Sequence, residues 1–251
     1  MLPRDAEGRE AMSEATFVMV HGAWHGGWCW APVAQRLEAQ GRRCFAPTLR
    51  GLAHRAGQLA PDVGADTHVE DVASLVEALD LREVVLVLHS YAGLLGPALL
   101  ARLGPRLRHI AWIEAVVPTP GRCMLDMVLP EAAERYRRLA KEAGGVCLPP
   151  PDAGQFGLAP ELAAEVASRL TPQPFRSFAE PVRAPSADVL GFAGSYLVAG
   201  DRPGDPYASH VARAQAAGWP VERIAGGHLL MLTQPDAVAG FLLRAGGSDR
   251  A

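Results

Sequence analysis

Six short apolar runs rich in β-branched and aromatic residues recur along the chain: TFVMV (16–20), RCFA (43–46), EVVLVL (83–88), HIAWIE (109–114), SYLVAG (195–200) and PVERI (220–224). Between them lie longer stretches of helical period. APVAQRLEAQG ends on a helix-stopping Gly41, and Asp66 to Leu81 carries Val69, Val72, Leu75, Val76 and Leu79 on one face. A third helix is expected after Ser90 and a last one over PDAVAGFLLRAGG. Strands that alternate with helices pair in parallel, because each return to the same end of a sheet needs a crossover, and the helix supplies it. The predicted fold class is therefore α/β: a mostly parallel sheet with helices on both faces. At 251 residues the chain is long enough to bury a sizeable core as a single domain.

One region breaks the alternation. From Pro118 to about Pro185 there is no convincing strand, and helical pieces (PEAAERYRRLAKEAGG, APELAAEVASRL) are separated by proline-rich loops such as CLPPPDAGQFG. It is too long for an idle connection and too irregular for another β/α repeat. The reading is an inserted helical cap, 118–185, over one end of the sheet. Residues 1–14 are polar, lack the apolar core of a signal peptide and are expected to form a disordered tail.

Composition narrows the partners. A formal net charge of −3, with no run of Lys or Arg, argues against nucleic acid or an anionic membrane surface and leaves a small molecule as the default. Cys29, Cys44, Cys123 and Cys147 lie far apart without C-x-x-C spacing, so neither a metal site nor a redox pair is suggested, and idle thiols fit a reducing cytoplasm. No apolar run approaches the roughly 20 residues of a membrane span. A soluble, cytoplasmic protein is expected, and apolar faces on the cap helices leave room for a homodimer.

In an open parallel sheet, ligands bind beyond the carboxyl ends of the strands, so the residues just after each run carry the chemistry. They are HGAWHGGWCW after the first, Ser90 after the third, Glu114 after the fourth, Asp201 after the fifth and His228 after the sixth. A serine hydroxyl becomes a nucleophile only when a base takes its proton, and a histidine serves as that base when a carboxylate holds its tautomer. A lone serine in such a place is more often a helix cap, but a sharp strand-to-helix turn also aims the next backbone N–H, here that of Tyr91, at a developing oxyanion. Among eight histidines, His228 in the glycine-flanked AGGHLLMLTQP has the expected place. His21 reads as structural and His25 as able to line a pocket. Asp201 is the favoured acid, Asp205 the second and Glu114 the third. Small residues at Gly22 and Ala23 allow close approach, making Ala23 N–H and Tyr91 N–H the expected oxyanion donors. Trp28 and Trp30 are expected to pack, and Trp24 to line a substrate pocket.

Over Phe17 to Leu243 the chain resembles the α/β-hydrolase superfamily, and more narrowly the branch of plant methyl esterases, hydroxynitrile lyases and related bacterial esterases. The matching pieces are FVMVHGAWHGGWCWAPVAQRLEAQG, VVLVLHSYAG, LTPQPF and GGHLLMLTQP. The resemblance implies Ser90, Asp201 and His228 as a triad, Ala23 and Tyr91 as oxyanion donors, and no cofactor. The lyases of that branch place a lysine after the histidine and a threonine in the first loop; Leu229 and Gly22 stand there in this chain, which favours hydrolysis. The reaction implied is cleavage of an ester, thioester or lactone of a small apolar substrate through an acyl-enzyme.

The chain departs from the pattern at the turn itself. G-x-S-x-G is replaced by Leu88-His89-Ser90-Tyr91-Ala92, and the bulky Leu88 is expected either to push the following helix outward or to turn its side chain into the flank of the sheet. That leaves open a specialised lyase or cyclase, or a non-catalytic ligand-binding protein, on the same scaffold.

Overall fold

The structure is a computed structural model and describes residues 15–200 and 206–247. In chain order the elements are β1 (Thr16–Val20), α1 (Ala31–Glu38), β2 (Arg43–Phe45), α2 (Ala65–Ala78), β3 (Val84–His89), α3 (Gly96–Leu103), β4 (Leu107–Ile113), α4 (Pro130–Glu142), β5 (Cys147–Leu148), α5 (Pro160–Ala167), β6 (Gln173–Pro174), α6 (Arg176–Ala179), β7 (Gly194–Ala199), α7 (Ala208–Ala216), β8 (Val221–Ile224), α8 (Leu230–Thr233) and α9 (Pro235–Ala245). Proline opens α1, α3, α4, α5 and α9, where its missing N–H would have no helical acceptor in any case. Gly41 ends the turn after α1 at φ +75.

Six strands form one sheet in the order β2-β1-β3-β4-β7-β8, and every pairing in it is parallel. Parallel strands are covered on both faces, so their residues are apolar without alternation. On β3, Val84, Leu86 and Leu88 join Val18 and Val20 in the core beneath α2 and α3, while Val85 and Val87 join Phe17 and Met19 beneath α1 and α9. The six predicted strands are the six observed, to within about two residues at their ends. The order reverses between β1 and β3, and the crevice of an open α/β sheet lies at such a point.

Three local expectations are corrected. Helix α2 ends at Ala78, so Leu79 falls outside its buried face and is 48% exposed, while Leu81 turns inward at the head of β3. The segment after Ser90 starts as a tight 3-10 turn, Ser90–Leu95, before α3 begins. The connection between β4 and β7 holds α4, α5 and α6 but also a two-residue antiparallel ladder, Cys147↔Pro174 and Leu148↔Gln173, too short to leave a periodic trace in sequence. No helix among the described residues is long and apolar enough to cross a membrane.

Candidate active site

The turn at Ser90 is where the backbone is most constrained. Ser90 has φ +55, a left-handed conformation that a non-glycine residue adopts only when its surroundings hold it there. Val116 N–H donates to Ser90 O at 3.1 Å, tying the turn to the chain leaving β4. Leu88 is accommodated through a residue further along. Its side chain is fully buried toward α3, and the first residue of that helix is Gly96. A Cβ on Gly96 would lie 2.7 Å from Trp112 Cη2 and 3.2 Å from Leu88 Cδ1. The glycine missing before the serine is thus replaced by one just past the 3-10 turn that follows it, and the leucine side chain packs in the flank of the sheet.

His228 stands in the loop between β8 and α8. Its Nε2 lies 2.9 Å from Ser90 Oγ, and its Nδ1 lies 3.1 Å from Glu114 Oε2. A carboxylate only accepts, so Nδ1 carries the proton and Nε2 presents its lone pair to the serine hydroxyl. Glu114 is fully buried directly after β4, at φ +45; its other oxygen accepts Ala199 N–H at 2.8 Å and continues the β4–β7 ladder by side chain. The favoured Asp201, and Asp205, lie outside the described residues. Among the described residues, the carboxylate beside His228 is Glu114, third in the sequence ranking.

The loop after β1 closes against the turn. A Cβ on Gly22 would come within 2.9 Å of Ser90 Cβ, so only glycine permits this approach. Ala23 is buried, and Trp24 takes φ +64 with both its backbone polar groups held from the connection between β4 and β7. Trp24 N–H donates to Gln173 Oε1 at 3.0 Å, and Trp24 O accepts Thr171 N–H at 3.0 Å. Gln173 in turn donates to Ser177 Oγ at 2.7 Å. LTPQPF carries part of the family resemblance but gives Gln173 no duty by itself; a glutamine between Pro172 and Pro174 is the available signal in sequence, and in the fold it is fully buried. On the other side, Tyr91 donates its hydroxyl to His68 Nδ1 at 2.9 Å, while His68 Nε2–H donates to Arg50 O at 3.0 Å. Tyr91, the residue after the serine, is therefore anchored to α2.

Ser90 and His228 open into a cavity of about 200 Å³ walled by Trp24, Tyr91, Phe178, Phe156 and Tyr207. Trp24 is in its wall, and Trp30 packs fully buried as predicted. Trp28 is partly exposed and lies beneath the Arg169 guanidinium, 4.1 Å from the ring. His25 does not line the cavity. It is buried between Trp28 and Phe156, and burial lowers its pKa to about 4. His21 is structural: its Nε2 accepts Leu49 N–H at 3.1 Å and its Nδ1–H donates to Gly22 O at 2.8 Å, with burial lowering its pKa to about 3. His89, beside the serine, is also buried and held well below the usual range, and its Nε2–H donates to His228 O at 3.0 Å. Leu229, next to His228, is wholly buried and brings no cation to the site. No group of three or more metal-ligating side chains occurs among the described residues.

Comparison with known proteins agrees with this architecture. The carbendazim hydrolyzing esterase of Nocardioides sp. (strain SG-4G) is 29% identical over 243 residues, covering 92% of this chain and all of that one. Methylesterase 10 of Arabidopsis thaliana is 40% identical over 79 residues, 31% of this chain and 29% of its own. Among solved structures, an extracellular alpha/beta-hydrolase from a Paenibacillus species superposes with a TM-score of 0.80 at 20% identity, covering 92% of this chain and 99% of that one. Tomato Methylketone Synthase I complexed with 2-tridecanone superposes at 0.79 with 16% identity, covering 94% and 99%. At these identities the superpositions speak for the fold. Residues 17–241 match the family described as "Alpha/beta hydrolase family", and the chain belongs to it.

Proposed function

We propose that the chain is a cofactor-independent carboxylic ester hydrolase with Ser90 as nucleophile, His228 as general base and acid, and Glu114 as the carboxylate that orients the imidazole. The observation that carries the reading is the relay of Ser90 Oγ to His228 Nε2 at 2.9 Å and His228 Nδ1 to Glu114 Oε2 at 3.1 Å, set on a turn whose serine has φ +55. The names of the relatives, an esterase across the whole chain and methylesterases over part of it, support the same reaction class.

Ser90 Oγ attacks the ester carbonyl as its proton passes to His228 Nε2, and the negative charge on the carbonyl oxygen is taken by Ala23 N–H and Tyr91 N–H. The tetrahedral species collapses to an acyl-serine as His228 returns the proton to the departing alcohol. Water then repeats the sequence: His228 takes its proton, hydroxide adds to the acyl carbon, and Ser90 leaves with that proton. A lining of aromatic rings around about 200 Å³ suits a small, largely apolar ester. Residues 118–185 act as the cap that supplies part of this wall, and neither nucleic acid nor membrane is a partner.

The test is the initial rate of p-nitrophenyl acetate and butyrate hydrolysis by wild type and Ser90→Ala, with folding of both checked by circular dichroism. Hydrolysis that falls by about 10³-fold or more in the variant is the expected result. Equal activity, or inactivity of both folded proteins on these and a panel of methyl esters, overturns it and turns attention to ligand binding or elimination chemistry.

A further inference from the structure

The loop that carries His228 has no regular element of its own. Gly226 and Gly227 precede the histidine, the first at φ +137, and α8 begins two residues after it. What holds the imidazole comes from elsewhere. Its backbone N–H donates to Phe156 O at 2.9 Å, and its backbone O accepts His89 Nε2–H at 3.0 Å. A Cβ on Gly227 would lie 2.4 Å from Phe156 O, so the loop is pressed against the 3-10 turn Ala153–Phe156. That turn is itself capped, with Asp152 Oδ1 accepting Gly154 N–H at 2.7 Å. Two near-parallel rings flank the imidazole: Phe156 at 6.1 Å and 25°, and Tyr207 at 5.6 Å and 16°. Ser90 and Glu114 occupy its two nitrogens, and His25 packs edge-on against Phe156 at 5.3 Å.

From this we infer that Phe156 and Tyr207 are positioning residues that fix the plane of the His228 ring and favour its protonated form, so that the β4–β7 connection, through Phe156, and the turn before α7, through Tyr207, tune the base. The inference rests on the role given to His228 above. Hydrogen bonds at the two nitrogens leave the ring free to rock about the line joining its partners, and flanking rings block that motion. Aromatic faces carry negative potential, so they stabilise the imidazolium that forms when the serine proton arrives. The other titratable groups facing His228 are Glu114 just after β4, His89 at the end of β3 and the Tyr207 hydroxyl, with His25 behind Phe156. Asp201 and Asp205 lie in the segment outside the described residues. Replacing Phe156 by leucine leaves Glu114, His89 and Tyr207 in place, and leucine fills similar space and keeps water out while removing the π face.

The experiment follows the His228 imidazole by NMR titration of protein labelled at histidine, assigned by difference with His228→Ala, in wild type, Phe156→Leu, Phe156→Tyr and Tyr207→Leu. Initial rates on p-nitrophenyl acetate are measured in parallel. In Phe156→Leu the titration midpoint is expected to move down by about half a pH unit, the equivalent of one exposed-to-partly-buried cation–π contact. The same variant should lose about tenfold in kcat with KM within about twofold, as for loss of alignment at the reacting atoms. Phe156→Tyr, which keeps the ring, should restore both. Should Phe156→Leu fail to fold, Tyr207→Leu removes the other ring and carries the same expectation. An unmoved midpoint in the folded leucine variants overturns the inference. A wild type without esterase activity would instead count against the hydrolase reading, since the titration reads the clamp without turnover.

Discussion

At the carboxyl end of the sheet Ser90 Oγ lies 2.9 Å from His228 Nε2; at the amino end Ser195 Oγ lies 2.9 Å from His109 Nε2. Hydrogen-bond length does not separate these two pairs, and neither does space: the hollow beside Ser195 has about 510 Å³ against about 200 Å³ beside Ser90. The difference lies in backbone and third partner. Ser195 sits within β7, where regular strand geometry holds it on one face of the sheet, whereas Ser90 is raised on a turn at φ +55. His228 has the Glu114 carboxylate on Nδ1; His109 has burial and the cation of Arg108, which together lower its pKa to about 4. One imidazole is equipped to accept and hold a proton, and the other is kept neutral. A serine beside a histidine is therefore insufficient as a mark of chemistry without a group that stabilises the imidazolium.

The comparison breaks most directly at Glu114. Glu114→Gln keeps the shape but lets the side chain present a donor to Nδ1, and kcat for ester hydrolysis is expected to fall by about 10⁴-fold, the range seen when the orienting carboxylate of a serine triad is neutralised. Steady-state kinetics within threefold of wild type would assign the carboxylate's duty to the 201–205 segment instead. Protons sharpen the contrast next. His21 at about 3, and His25, His68 and His109 at about 4, are all depressed by burial from 6.5. In the unfolded chain these groups bind protons more readily, so their contribution to stability is fully present above about pH 6.5 and is lost as pH falls toward 4. Urea unfolding should show stability falling progressively between pH 7 and pH 4.5, by at most on the order of 1.4 kcal/mol per pH unit below 6.5 for each histidine that stays neutral in the fold. An unchanged midpoint would mean that these histidines are not buried neutral. The smallest effect is expected from Ser195→Ala: ester hydrolysis within twofold of wild type and a stability change of about 1 kcal/mol, the net worth of one hydrogen bond. A tenfold loss of activity there would erase the distinction between the two pairs.

How much of this was legible in sequence varies residue by residue. Ser90 and His228 were picked out because each directly follows a β-rich run, and the structure puts them within hydrogen-bond reach. Glu114 follows a run in the same way, yet nothing local ranked it against Asp201, since its approach to His228 is a contact across 114 residues. For Leu88 the sequence leaves two outcomes open, a displaced helix or a side chain in the flank of the sheet, and the choice between them rests on Gly96, which looks in sequence like a poor start to a helix. Phe156 and Gln173 drew no attention, lying in the stretch where proline and short turns erase periodicity.

By itself the sequence determined the alternation of strands and helices, hence a parallel sheet, its covered faces and the end at which side chains gather. These follow from local periodicity, which is written in neighbouring residues. Only the tertiary structure showed that Glu114 meets the imidazole, that Gly96 makes room for Leu88, and that Phe156 from the irregular segment stands beside His228. Those are meetings between residues far apart in the chain, selected by packing and by the need to pair buried polar groups, and neither condition leaves a mark at the individual positions.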